Sequence, residues 1–111
     1  MYKIVASPTF KICLKRLIHF LTTKYSSTLA LETKQVIKKS VLENLPINPY
    51  IAPISDRLID LGIKDYHQYL IDEHNIVFYR IDEANKRVIL LLVMDSRQNI
   101  QKLLSDVMLI S

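Results

Sequence analysis

The spacing of apolar residues changes once along this chain, and that change limits the folds it can form. Between residues 8 and 45 apolar side chains recur every three or four positions, which is typical of amphipathic helices. From residue 66 to residue 94 they alternate or run continuously, which is typical of β-strands. The intervening segment 46–65 holds three of the four prolines and the only glycine, which indicates a loop. The pattern therefore predicts an α+β protein in which a helix pair precedes a sheet.

The first helix is predicted to begin at Ser7-Pro8 and to end near Lys24. Serine is a favoured N-cap residue, and proline is tolerated in the first helical turn because its missing N–H has no partner there. A polar break at 25–28 separates this helix from a second one, which ends at Pro46. Two helices joined by so short a connection are expected to pack as an antiparallel pair.

Four strands and two short helices complete the prediction. The apolar run 88–93 is continuous, so its strand is expected to be central and buried on both faces, with the N-terminal strand beside it. The last three strands are expected to form an antiparallel meander because only short polar turns separate them. The predicted strands are 2–6, 66–71, 76–81 and 87–94, and the predicted short helices are a turn at 56–61 and an amphipathic helix at 98–110.

Size and composition exclude several classes of protein. The 111 residues, half of them hydrophobic and 23% charged, suit one folded domain spanning 1–111 rather than two domains or a disordered chain. The only glycine, Gly62, excludes P-loop and dinucleotide-binding sites, which need several glycines around the phosphates. No cofactor is expected.

The cysteine and histidine content points to a reducing compartment and away from metal binding. Cys13 has no partner for an internal disulfide, and on the apolar face of the first helix it is expected to be buried and inert. His19, His67 and His74 lie on different predicted elements, so no metal site is expected. No apolar run has the length of a signal peptide or a membrane span, which indicates a soluble cytoplasmic protein without a membrane partner.

Positive charge is concentrated in the N-terminal half of the chain. The net charge is +4, and residues 1–45 hold eight basic and two acidic groups, whereas 46–111 hold seven and nine. A basic stripe on the helix pair could meet nucleic acid or an acidic partner, although such stripes are more often solvated helix faces. The stripe consists of Lys11, Lys15 and Arg16 with Lys34, Lys38 and Lys39.

Strand alternation divides the side chains of strand 76–81 between two faces. Val77, Tyr79 and Ile81 form the better core face, which the helix pair would cover. Ile76, Phe78 and Arg80 would then lie on an open face, where a partner segment could bind. Arg80 would stand near Arg97, and two such guanidinium groups could bind phosphate or an acidic segment. Alternatively, Arg80 forms a surface ion pair with Asp82, Glu83 or Asp95.

Three stretches of the sequence resemble the RelE/ParE superfamily of toxins from bacterial type II toxin–antitoxin modules. Toxins of this superfamily inhibit cell growth, and their modules stabilise plasmids. The resemblance implies the fold predicted above, an acidic antitoxin as partner, and a toxin–antitoxin hetero-oligomer. The stretches are the N-terminal strand leading into Ser7-Pro8-Thr9-Phe10, the stretch HNIVFYRID at 74–82, and the strand end VMDSR at 93–97.

Departures from the RNA-cleaving branch favour the ParE-like branch, whose members inhibit DNA gyrase. Where RelE-like members carry basic or proton-transferring residues, this chain has Ile71, Ile76 and Leu103, while Arg80 and Arg97 are kept as candidate catalytic residues. The partner-binding residues are predicted to be Ile76, Phe78, Arg80, Arg97, Lys11, Lys15 and Arg16. Two alternatives stay open: a ribosome-dependent mRNA endoribonuclease with His67 or His74 as base, and an α+β interaction module without a toxin role.

Overall fold

The computed structural model describes residues 1–108, which fold as an α+β protein in the predicted order of elements. The predicted last helix, 98–110, begins two residues late, and its final two residues lie outside the described part of the chain. No helix within residues 1–108 is both long and apolar enough to cross a membrane. The elements are β1 (Lys3–Ala6), α1 (Pro8–Lys24), α2 (Ser27–Asn44), a 3₁₀ turn (Pro49–Ile51), α3 (Asp56–Asp60), β2 (His67–Leu70), β3 (Asn75–Asp82), β4 (Arg87–Asp95) and α4 (Ile100–Met108).

Local sequence signals explain where the two long helices begin. The Oγ of Ser7 accepts a hydrogen bond from the Phe10 N–H at 3.0 Å, so Ser7 caps α1 as predicted. The Oγ of Ser26 accepts from the Leu29 N–H at 3.1 Å and starts α2 earlier than predicted. The break between the helices is therefore shorter than the predicted 25–28, because its second residue already serves as a cap.

The sheet has the strand order β1-β4-β3-β2, with β1 parallel to β4 and the other neighbours antiparallel. The predicted central position of β4 is confirmed, and its side chains from Leu92 to Asp95 are buried. Phe78 pairs with Leu92 while Tyr79 pairs with Leu90, so Leu91 is the extra residue of a β-bulge. The bulge places Leu90 and Val93 on the same face of the sheet.

The predicted core face of β3 is confirmed around Tyr79. The ring of Tyr79 is fully buried and stacks on His67 with ring centroids 5.1 Å apart, and its hydroxyl donates to the Pro49 carbonyl at 2.5 Å. Tyr69 lies on the same face, and its hydroxyl is 2.8 Å from that of Ser40 on α2. This face therefore packs against α2 and the loop that follows it.

The opposite face is also covered, so the prediction that Ile76 and Phe78 face water is wrong. Ile76 is 4% exposed and Phe78 is fully buried. Ser55, the N-cap of α3, donates to the Oε1 of Gln68, the cross-strand partner of Phe78, which places α3 beside that face. Leu58 of α3 is fully buried, and three side chains of α4 are also buried in the core. Those α4 side chains are Leu103, Leu104 and Val107.

Candidate functional site

An open groove of about 960 Å³ runs between α1 and α4, and cations dominate its lining. Among the described residues that line it, five are lysine or arginine and only Asp106 is acidic. The lining residues are Lys15, Arg16, His19, Phe20, Thr23 and Lys24 from α1, Arg97, Gln98 and Asn99 from the turn after β4, and Lys102, Leu103 and Asp106 from α4.

Helical periodicity places these side chains along the groove. On α1, Lys15, His19 and Thr23 follow one another at four-residue intervals, so they form one row outside the buried face of the helix. On α4, Lys102 and Asp106 have the same spacing and flank a buried face that includes Leu103. The two apolar faces enter the core, and their polar edges form the walls of the groove.

Arg97 lies at one end of the groove and is held by Asp95, a residue that sequence reasoning did not assign to the site. The buried Oδ1 of Asp95 accepts hydrogen bonds from the backbone N–H of Arg97 at 2.8 Å and from its Nε at 2.7 Å. The second carboxylate oxygen accepts from Nη2, so the pair is bidentate. The guanidinium of Arg97, just after the end of β4, is therefore already paired with the carboxylate of Asp95.

The pairing with Arg97 affects the pKa of Asp95 more strongly than its burial does. Burial alone would raise the pKa of Asp95, but hydrogen bonds from the Arg97 side chain and backbone lower it below its usual range. The hydrogen bond with Asp95 in turn raises the pKa of Arg97. Both groups are therefore charged near neutral pH.

Tyr25, in the connection between α1 and α2, contacts Arg97 from the other side. The Arg97 Nη1 donates to the Tyr25 hydroxyl, and the guanidinium carbon lies 4.8 Å from the ring centroid. Tyr25 thereby links the helix pair to the turn after β4. The sequence offered no signal for this contact, because the two residues are far apart along the chain.

The charges in the groove are unevenly balanced. Arg16 pairs with Asp106 at 3.3 Å, and both side chains are more than a third exposed, so solvent screens the pair. Lys15, Lys24 and Lys102 are exposed and form no ion pair with any residue in 1–108. The Lys24 ammonium lies 5.5 Å from the centroid of the Phe20 ring. Three lysines thus keep their positive charge available to a ligand.

Arg80 does not join Arg97, so the prediction that the two arginines lie close together is wrong. Arg80 pairs with Ile89 near one end of β4, whereas Asp95, at the other end, pairs with Asn75. The five residue-to-residue steps from Asn75 to Arg80 span about 16.5 Å at roughly 3.3 Å per step. The two guanidinium groups therefore cannot bind one phosphate.

The alternative ion pairs expected for Arg80 are also not formed, since other cations hold all three carboxylates. Asp82 binds Arg87 at 2.8 Å, and Asp95 binds Arg97. Glu83 binds Lys86 at 3.1 Å and accepts a hydrogen bond from the Tyr2 hydroxyl. The half-buried Arg80 has no ion-pair partner among the described residues.

The predicted basic stripe is divided between different surfaces. Lys15 and Arg16 line the groove, whereas Lys11 lies on α1 outside it. The lysines of α2 are exposed on the outer part of the helix pair and do not line the groove; they are Lys34, Lys38 and Lys39.

The three histidines occupy unrelated environments. His67 is buried against Tyr79 with its Nδ1 2.7 Å from the Ala52 carbonyl, which is a structural position. His74 is half-buried in the turn before β3, where its backbone carbonyl accepts from the Ser96 N–H. Only His19, which was not proposed as a base, lines the groove. The described residues contain no cluster of His, Cys, Asp and Glu that could hold a metal ion.

Cys13, Ile71 and Ile76 are not among the described residues that line the groove, whereas the apolar Leu103 is one of them. Cys13 is 1% exposed, as predicted, and burial raises the pKa of its thiol to about 11. Ile76 and Leu103 are buried and Ile71 is half-buried, so all three contribute to packing. The charged walls of the groove come instead from α1, the turn after β4, and α4.

The fold matches solved structures of toxin–antitoxin proteins, although no family model and no curated protein matches the sequence. A chain of the chromosomal ParDE TA system from P. aeruginosa superposes with a TM-score of 0.67 at 12% identity, covering 86% of this chain and 96% of that chain. A chain of the toxin–antitoxin complex RelBE2 from Mycobacterium tuberculosis gives 0.60 at 15% identity, covering 85% and 96%. A metal-bound toxin from Helicobacter pylori gives 0.55 at 20% identity, covering 86% and 94%. These likenesses confirm the RelE/ParE-like fold, with ParDE among the good matches.

Proposed function

We propose that this chain is the toxin of a bacterial type II toxin–antitoxin system and that it inhibits DNA gyrase by binding, as ParE-like toxins do. The proposal places it in the cytoplasm, where a cognate acidic antitoxin neutralises it in a hetero-oligomer. Its support is the fold shared with chains of the ParDE and RelBE2 systems, together with a surface rich in unpaired lysines.

The engagement of Arg97 by Asp95 is the observation that favours inhibition by binding over RNA cleavage. A nuclease needs cations free to meet the phosphate and a group that accepts a proton from the attacking hydroxyl. Here Arg97 directs its Nε and Nη2 to Asp95 and its Nη1 to Tyr25. Arg80 lies at the other end of the sheet, too far away to complete a site.

One observation favours the alternative, a ribosome-dependent mRNA endoribonuclease. His19 lines the same groove as Arg97, and an imidazole can act as a general base or acid near neutral pH. This alternative does not use His67, which is buried in the core. The gyrase and ribosome targets therefore need a direct experimental comparison.

The outer face of α2 is the surface we assign to the acidic antitoxin. Leu31, Val36 and Leu42 are 59%, 46% and 50% exposed there, which is unusual for large apolar side chains. The exposed lysines of α2 lie among them along the helix. Apolar contacts beside cations suit an amphipathic acidic segment that orders on binding. Ile76 and Phe78 are excluded from this role because they are buried.

The proposal is tested by induction in a bacterium and by two assays with purified protein. We expect expression of this chain to arrest growth. Co-expression of an acidic protein encoded by a short reading frame next to this gene should relieve the arrest. The purified protein should inhibit supercoiling by gyrase and leave ribosome-bound mRNA intact. Arg97→Ala serves as the site variant, and Arg57→Ala, a half-buried arginine of α3, is the matched control.

Two results would overturn the proposal. Cuts at defined codon positions in ribosome-bound mRNA, abolished by His19→Ala and with supercoiling unaffected, would establish the endoribonuclease. Absence of both activities, with no growth arrest at any level of induction, would establish an interaction module without a toxin role.

A further inference from the structure

We infer that the loop between α2 and α3 is the surface through which two copies of this chain form a symmetric dimer. Four large apolar side chains are exposed within eight consecutive positions of this loop. They are Ile47 (73% exposed), Tyr50 (57%), Ile51 (52%) and Ile54 (44%), and we call them the loop patch. The inference goes beyond the proposed function, because it depends neither on the antitoxin nor on the inhibited enzyme.

Three members of the loop patch lie around the buried ring of His67. The ring of Tyr50 meets that of His67 edge-on, with centroids 6.1 Å apart and planes at 82°. Ile54 forms an antiparallel β-bridge with His67 at the outer edge of β2. Ile51 follows Tyr50 in the 3₁₀ turn, and Ile47 lies three positions before it. The loop patch is therefore a connected surface beside the edge strand rather than a set of scattered side chains.

The sheet holds the backbone of this loop in place. Three carbonyls of the loop accept hydrogen bonds from β2 and β3, and they belong to Pro49, Ala52 and Pro53. The three prolines of segment 46–55 bring no N–H group that would need a partner. A second copy that covers this loop would order little new backbone and would leave few polar groups unpaired. Both effects lower the cost of association.

The size of the loop patch suits a weak but specific dimer. At about 200 Å² for a fully exposed large side chain, the exposed fractions of its four members amount to roughly 450 Å². Apolar patches of this size are often interaction sites. Two copies would bury about 900 Å² from these side chains. The exposed Asn48 and Pro53 between them bring the total to the roughly 1,000 Å² that a specific interface needs.

Charge identifies a second copy as the occupant. The chain carries a net charge of +4, so two copies repel each other, and contact is least opposed where neither copy brings a charge. Segment 44–55 is the longest stretch of the sequence without a charged residue or a histidine. An apolar surface is complementary to itself, so a two-fold dimer can use the same residues on both copies. An acidic partner would find no cation within this segment, in contrast to the lysines of α2.

The test is sedimentation equilibrium of the full chain over a range of about 10–500 μM. The mass should rise from 12.9 kDa towards twice that value, with a dissociation constant on the order of 100 μM because the interface is small. The patch variant is Ile47→Lys with Ile51→Lys. The matched control is Leu31→Lys with Leu70→Lys, which adds the same charge and removes side chains of similar exposure from α2 and β2. We expect the patch variant to weaken dimerisation at least about tenfold and the control less than about threefold.

Salt dependence tests the apolar character of the interface without any variant. Salt screens the repulsion between two positively charged copies, so dimerisation of the wild-type chain should tighten as the salt concentration rises. An interface built on ion pairs would weaken instead. Amide chemical shifts recorded across the same range of protein concentration should change in segment 47–54 and stay constant on α4.

Circular dichroism checks that each variant is folded. If the patch variant is unfolded, Ile47→Gln with Ile51→Gln replaces it, with the corresponding Gln variants of Leu31 and Leu70 as the control. The uncharged patch variant should still weaken dimerisation at least about threefold, because it removes apolar area from the interface.

Four outcomes would overturn the inference. A monomeric mass at every concentration would reject the dimer. Equal weakening by the patch and control variants would show that association depends only on net charge or total apolar surface. Chemical-shift changes outside segment 47–54 would place the interface elsewhere. A monomeric wild-type chain whose patch variant no longer responds to the antitoxin, or no longer inhibits gyrase, would assign the loop patch to that partner.

Discussion

The fully buried carboxylate of Asp95 binds the guanidinium of Arg97, two residues further along the chain, through two parallel hydrogen bonds. The same carboxylate accepts the backbone N–H of Arg97, so the pair also fixes the turn that leads from β4 into α4. Gln98 strengthens this turn, since its Oε1 accepts from the Asp95 N–H and its own N–H donates to the Asp95 carbonyl. Arg97 therefore has a structural role as well as a place in the groove.

Asp95→Asn is expected to lower the free energy of unfolding by about 2 kcal/mol, because it weakens charge-assisted hydrogen bonds at a buried position. Urea denaturation followed by circular dichroism measures the change. Asp60→Asn is the matched control: Asp60 is exposed on α3, and its replacement should change stability by less than about 0.5 kcal/mol. Equal effects of the two variants would show that the Asp95–Arg97 pair adds little to stability.

Neighbouring residues of β3 should differ sharply in their contribution to stability. Tyr79→Ala is expected to cost about 3–5 kcal/mol because it removes a buried aromatic ring that stacks on His67. Tyr79→Phe should cost about 1–2 kcal/mol, since it leaves the Pro49 carbonyl without its donor. Arg80→Ala should leave stability nearly unchanged. If chemical denaturation finds Arg80→Ala more damaging than Tyr79→Ala, the assignment of the strand faces is reversed.

Acid should destabilise the protein partly through Asp82. Hydrogen bonds from Asn85 and then from Arg87 lower the pKa of Asp82 to about 2. Because this value lies below the ordinary value of 3.8, the ionised form favours the folded protein. The contribution is fully present above about pH 4 and disappears as the pH falls towards 2.

The check is the melting temperature measured across that acid range for wild type and Asp82→Asn. The variant should lose less stability than wild type on acidification. Glu43→Gln, which removes one exposed carboxylate of α2, is the control for the change in net charge. If the melting temperature of the Asp82→Asn variant falls with decreasing pH as steeply as that of wild type, the pairing of Asp82 with Arg87 is contradicted.

The thiol of Cys13 should react with a disulfide reagent only when the protein opens. Burial raises its pKa to about 11, so at pH 8 roughly one thiol in a thousand is ionised, and the side chain is 1% exposed. We expect labelling by an aromatic disulfide to be slow in buffer and rapid in guanidinium. Rapid labelling of the folded protein would show that α1 separates from β4.

Local sequence signals determined the elements and their order. Ser7 caps the first helix as predicted because a capping hydrogen bond needs only residues three positions apart. The continuous apolar run of β4 predicted a central strand because only a strand covered on both faces can bury every side chain. Alternation likewise placed Tyr79 in the core. Each of these inferences depends on neighbours within one element.

Tertiary structure alone decided which surfaces are open and which charges meet. Alternation puts Ile76 and Phe78 on one face but does not reveal whether another element covers it, and here that face is buried. The antiparallel register, which no single strand encodes, separates Arg80 from Arg97. Lysines of α1 line the same groove as Lys102, and Tyr25 contacts Arg97, although these residues are separated by most of the chain. Such long-range contacts depend on the packing of whole elements, so periodicity within one element carries no information about them.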